Sequence, residues 1–189
     1  MAYGADSYYP EPTNIWESIE YSSIGTTVAE SLWMFPTFET LHVIALVTVL
    51  GSIAVVDARL IGLSSSNVAF SRLSRDMLPW TWVAFAVATI TGLLLFASKA
   101  SYYMVNPFFL VKLGLLALAG INMAVFQFFT EKNVHLWDID APMPISAKLA
   151  GYISLSLWLA IVVCGRMIGF TLGICIPGAT EPCPIPSLF

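Results

Sequence analysis

Long stretches of this chain run almost without polar interruption. The first spans about Pro36 to Leu63 and carries no charge between Val43 and Val56. The second covers Met77 to Ser98, the third runs from about Pro107 to Thr130 around a single Lys112, and the fourth from about Ala147 to Gly173 around Arg166. A helix rises about 1.5 Å per residue, so roughly 20 apolar residues cross the ~30 Å hydrocarbon core of a bilayer. Each stretch meets that length, and a helix satisfies every backbone N–H and C=O within its own segment, as hydrocarbon demands. The pattern predicts an all-α integral membrane protein, a four-transmembrane-helix bundle over residues 36–173.

The flanks read differently. In the N-terminal segment, residues 1–35, Asn14 with Glu17 and Thr27 with Glu30 have the spacing of a helix cap and the acid that bonds back to it. Two short interfacial helices are predicted there, with Trp16, Tyr21, Trp33 and Phe35 suited to headgroup depth or to a protein partner. Residues 174–189 contain Pro177, Pro182, Pro184 and Pro186, which exclude continued helix and predict an extended tail. Cys175 and Cys183 lie in that tail and suit a disulfide in an oxidising compartment, or alternatively a pair of soft metal ligands. Cys164, inside the fourth stretch, is expected to be a packing residue.

Composition agrees with lipid as the main solvent: 58% of residues are hydrophobic and 11% charged, against roughly a quarter charged in soluble domains. Residues 1–30 have neither Lys nor Arg, so the first crossing is expected to act as its own uncleaved insertion signal. Arg59, Arg72 and Arg75 fall between the first two crossings, and Lys132 and Lys148 between the last two, whereas Lys99 lies on the other side. Basic loops stay cytoplasmic, which predicts a multi-pass protein of a bacterial inner membrane with both termini in the periplasm. A net charge of −4 without a basic cluster argues against nucleic acid as a partner.

Ionisable groups inside a crossing cost about 2.5–3.5 kcal/mol each near the bilayer centre on insertion scales and therefore need a reason. Helical rise puts His42, Lys112 and Arg166 at similar depths, roughly 9, 8 and 9 Å below the outer ends of their helices. Glu39 precedes His42 by one turn on the same face. An outer-leaflet cluster of Glu39, His42, Lys112 and Arg166 is thus a candidate site for a quinone headgroup, haem b or a metal; its alternative is an ion network that fixes helix register. Met34 and Met104 lie on the same side as His42, which adds copper to the candidates, since His and thioether sulfur suit Cu(I). His135 falls in the opposite loop, so the chain cannot by itself supply two haem-ligating histidines on one side. In the inner half, Asp57, Arg59 and Asn122 are expected to be structural. Gly165, Gly169 and Gly173, and Gly120 with Ala124, offer smooth faces for close helix approach.

Glu39, Leu41 and His42, the Gly51 to Gly62 stretch with Asp57, Arg59 and Leu60, and Leu78 with Pro79 form a recognisable series. It continues in Thr91, Gly92, Leu95 and Phe96, in Asn106, Pro107, Phe108 and Lys112, in Asn122, and in Trp158, Gly165 and Arg166. Over roughly Phe35 to Gly173 the chain resembles a family of small bacterial four-helix inner-membrane proteins without an assigned function. More distantly, it is similar to the membrane domain of the copper-resistance D proteins. The first 30 residues and the cysteine-containing tail lie outside that resemblance. Gln127 stands where the resemblance implies a histidine in many relatives.

These features predict a non-catalytic membrane subunit or anchor of a periplasm-facing redox or metal-handling complex, with other membrane or periplasmic subunits as partners. The alternatives are a copper or small-solute transporter, which needs a polar path from His42 to Asp57 and Asn122, and a purely structural assembly subunit. No nucleophile, base and orienting group stand at a recognisable spacing, so catalysis by this chain alone is not expected.

Overall fold

A computed structural model describes residues 9–63, 69–126, 128 and 144–171. The tail cysteines, His135 and Gln127 lie outside the described residues. The elements in chain order are α1 (Ile15–Glu20), α2 (Ser23–Glu30), α3 (Met34–Ile61), α4 (Phe70–Ser98), α5 (Ala100–Val105), α6 (Pro107–Val125) and α7 (Ile145–Thr171), with no strand among the described residues. Four of them, α3, α4, α6 and α7, are long and apolar enough to cross a membrane.

Local chemistry sets the ends. The Asn14 side chain accepts from the Glu17 N–H at 2.9 Å, which caps α1 as its spacing predicts. Glu17 reaches back one residue further than expected and accepts from the Thr13 N–H and hydroxyl. That contact holds its carboxyl below the usual carboxylate range. For α2 the expected cap is displaced. Ser22 caps the helix by accepting from the Gly25 N–H, and Thr27 sits inside the helix with its hydroxyl on the Ser23 carbonyl. The helix α3 ends at Gly62, whose φ of 91° is the left-handed conformation that glycine adopts without strain.

The second crossing differs most from its expected bounds, because α4 begins at Phe70 and Pro79 lies within it. The added turns are amphipathic: Phe70 is buried against Leu60 and Ala147, while Arg72, Arg75 and Asp76 are exposed. Proline removes one backbone donor, and burial of Phe70 outweighs that local loss.

The helix α3 packs against α4 on one side and α7 on the other, and α7 carries α6. The partners run antiparallel. His42 lies against Gly92 and Ser52 against Thr81, so α3 and α4 run in opposite directions. Gly151 lies against Leu60, which sets α7 against α3, and Asn106 with Thr171 and Asn122 with the Ala150 carbonyl set α6 against α7. The middle of the molecule is an apolar layer of Val49, Ala84, Trp158 and Ile161, flanked by Leu115, Leu116 and Ala119.

One end carries a cap made of α1, α2 and α5. The Ser101 N–H donates to Glu20 at 3.0 Å, Val28 of α2 is 1% exposed, and Lys99 lies 5.5 Å over the Phe35 ring. Of the glycines the sequence spacing selects, Gly165 lies near the Lys112 ammonium and Gly173 is outside the described residues, but the tightest approaches are made at other glycines. Nothing lies within 4 Å of a methyl placed on Gly120 or Gly169, whereas a methyl on Gly25 would meet the Glu20 carbonyl oxygen and lie 2.7 Å from that of Ala97.

Those neighbours are backbone and cannot turn aside. Gly25→Ala is therefore expected to push α2 off α4 and destabilise the protein by about 1–3 kcal/mol, the usual cost of overpacking. Thermal unfolding of the detergent-solubilised protein should show a lower midpoint, while Gly120→Ala should leave it unchanged.

Candidate functional site

His42 lies two turns into α3, half-buried, with its ring edge against Gly92 of α4: a methyl there would sit 2.9 Å from its Cε1. Its Nδ1 is 2.8 Å from the Ala88 carbonyl oxygen and 3.1 Å from Thr91 Oγ1. A carbonyl only accepts, so Nδ1 carries a hydrogen. Thr91 gives its own hydroxyl hydrogen to the Val87 carbonyl at 2.7 Å, which leaves its oxygen free to accept from the ring as well. In the neutral ring the lone pair is then on Nε2. A backbone carbonyl thus fixes the ring orientation and tautomer, the arrangement that commonly supports a ligating or proton-accepting imidazole.

Lys112 of α6 comes close enough to His42 for its charge to act on the ring. Its Nζ would be 3.7 Å from a methyl on Gly165, and Cys164 is its other electrostatic neighbour. No salt bridge joins Lys112 to a carboxylate among the described residues, although it is half-buried within a crossing. An ammonium group has three donors and no acceptor. The oriented imidazole of α3 and the Lys112 ammonium of α6 are thus within electrostatic range of each other.

Aromatic rings roof this region one turn nearer the capped end. Phe96 and Phe109 stack with centroids 5.6 Å apart and an interplanar angle of 10°. Tyr103 of α5 stands 5.1 Å from Phe109, and Trp16 of α1 lies edge-on to Phe96 at 6.1 Å. Asn106 fixes the start of α6 beneath α5: its carbonyl oxygen accepts from the Phe108 and Phe109 N–H groups, and its amide donates to Thr171. The cap thus reaches, through Trp16 and Tyr103, the rings that lie one turn from Gly92 and Lys112.

The other predicted residues lie elsewhere. Glu39 is exposed and its charge acts on Tyr103. Arg166 is exposed, with its guanidinium 4.7 Å over the Phe170 ring, one turn towards the capped end. Its shared depth with Lys112 does not become a shared face, because one residue of rotation separates it from Gly165. Met34 opens α3 two turns above His42, and Met104 belongs to α5. Asp57 and Arg59 are buried at the far end of α3, and Asn122 donates to the Ala150 carbonyl at 3.1 Å. Among the described residues no group of three His, Cys, Asp or Glu is placed to hold a metal ion. Cys164 joins the site unexpectedly. Its helical spacing from Trp158 and Ile161 is the signal that places it on the inner face.

The profile of a protein family matches residues 15–171, which include α1 and α2 as well as the crossings. The chain belongs to a family of unknown function, DUF6644. The N-terminal helices are thus part of the family's own domain, which corrects the expectation that the resemblance begins near Phe35. No curated protein and no solved structure matches the chain.

Gly92→Ala should displace the His42 ring while leaving the helix intact, since only a side-chain edge stands in the way. Nuclear magnetic resonance of ring-labelled histidine should show the Nδ1–H signal shifted or lost, with unchanged circular dichroism. Burial first, and then the Glu39 carboxylate, push the Tyr103 phenol up to about 12 from an ordinary value of 10.0. A raised phenol favours the folded state below pH 10, and that contribution disappears as pH rises from 10 to about 12. The stability lost across this window should be smaller in Tyr103→Phe, as measured by unfolding midpoints at alkaline pH.

Proposed function

We propose that this chain is a non-catalytic membrane subunit of a redox complex, and that it holds the headgroup of a lipid-soluble quinone between His42 and Lys112. In this reading the four crossings form a bundle in a bacterial inner membrane, with the capped end in the periplasm. The observation that carries the proposal is the pairing of an ammonium that has no carboxylate partner among the described residues with an oriented imidazole, one turn from stacked aromatic rings. A quinone carbonyl accepts from Lys112, and the hydroxyl of the reduced form donates to His42 Nε2. Phe96 and Phe109 supply flat apolar surface close to the ring.

The same geometry ranks the other candidates lower. A copper ion at His42 would face the like charge of Lys112, and a haem would need a second axial ligand from another subunit. Passage of a solute would have to cross the apolar layer of Val49, Ala84, Trp158 and Ile161, which separates His42 from Asp57.

Titration of a short-tailed quinone into the protein in lipid nanodiscs, followed by quenching of tryptophan fluorescence, tests the reading. Saturable binding is expected for the wild type. A hydrogen bond from a charged donor contributes about 1.5–3 kcal/mol, so Lys112→Met should weaken binding roughly tenfold or more. His42→Gln should weaken it less, and Arg166→Gln not at all. Quenching that never saturates, or equal affinity in Lys112→Met, would sink the quinone assignment.

A further inference from the structure

At the other end of α3 lies a group that the quinone reading does not use. Asp57 is 5% exposed, at the seam where α3 meets α7. The Ser154 hydroxyl of α7 lies near enough to bear on its carboxyl group, but Oδ2 is sealed from solvent and has no hydrogen-bond partner. One turn along α7, Gly151 brings the helix so close that a methyl there would lie 3.3 Å from the Asp57 carbonyl oxygen.

A carboxylate in such a place needs a positive charge, because burial without one costs more than a single hydroxyl can return. Among the described residues no charged side chain acts on Asp57. Arg59 follows two positions later, about 200° around the helix, and so leaves from the other face. On α4, Arg72, Arg75 and Asp76 are exposed; on α7, Lys148 is exposed; and α6 contributes Asn122, which is neutral.

We propose that Asp57 is a binding site for one monovalent cation, a proton or a sodium ion, which neutralises the carboxylate and lets the α3–α7 seam close. A proton adds to Oδ2 and needs no space. A sodium ion would draw on the carboxylate, the Ser154 hydroxyl and nearby backbone carbonyls. The site is separate from the one at His42: 15 residues of helix put them roughly 22 Å apart along α3, and the Val49, Trp158 and Ile161 layer lies between. The cation therefore arrives from the uncapped end.

Infrared spectroscopy of the full chain in nanodiscs at neutral pH separates the two sources. A protonated-acid carbonyl band that disappears in Asp57→Asn, and moves to higher frequency in Ser154→Ala, identifies the proton. If that band is absent, unfolding followed by tryptophan fluorescence at constant ionic strength supplies the second arm. A midpoint raised when sodium replaces choline, in the wild type but not in Asp57→Asn, identifies sodium. An ionised Asp57 band together with a wild-type midpoint indifferent to sodium overturns the proposal, and both readings come from the wild type even if a variant fails to fold. Neither outcome depends on quinone binding at His42, so the two assignments stand or fall separately.

Discussion

Hydrocarbon offers a polar group no partner, and the arrangement of this molecule follows from where its polar groups find one. Backbone groups are satisfied inside the long helices. The side chains that interrupt those helices are handled individually: Thr48, Thr89 and Ser156 return their hydroxyls to the carbonyl one turn earlier, and Thr81 bridges to Ser52. Arg166 runs along Phe170 towards the surface, as long cationic side chains do near a helix end. After these, Lys112 and Asp57 stand out. Both are charged types within crossings, and neither has an opposite charge beside it among the described residues.

They lie at opposite depths with an apolar layer between, which divides the molecule into two polar territories. The upper one is roofed by α1, α2 and α5, and its walls are aromatic. The lower one is narrow and closed by Gly151. The cap is integral to the upper territory, because Trp16 touches Phe96, Glu20 holds the start of α5, and Tyr103 touches Phe109. Inclusion of α1 and α2 in the matched family profile agrees with this dependence.

The crossings were legible because twenty apolar residues in a row have few other uses. His42 and Lys112 were legible for the converse reason, since charge within such a run demands an explanation. Depth could be counted along each helix, but rotation could not. Arg166 and Gly165 are adjacent in sequence, yet one is exposed and the other faces Lys112. The groups that orient His42 left little trace, because a backbone carbonyl and a glycine contact carry no chemical signature in a sequence. Thr27 had the spacing of a cap, but Ser22 lay nearer the end of α1 and took that role, which moved the start of α2 forward. The extension of α4 was hidden by Pro79, a residue that more often marks a helix start.

Going round the long helices, α4 with α3, α3 with α7 and α7 with α6 are packed side by side, while α6 and α4 meet through the rings of Phe96 and Phe109. No residue of α6 is fully buried. Placed in a bilayer, the loosely packed α4–α6 seam below those rings would turn toward the acyl chains, with the cap standing on the side of the water. A ligand for His42 and Lys112 would therefore be selected first by its solubility in lipid. The concentration that governs occupancy is the one within the bilayer, so changing the membrane's lipids would alter apparent affinity without touching a single residue of the site.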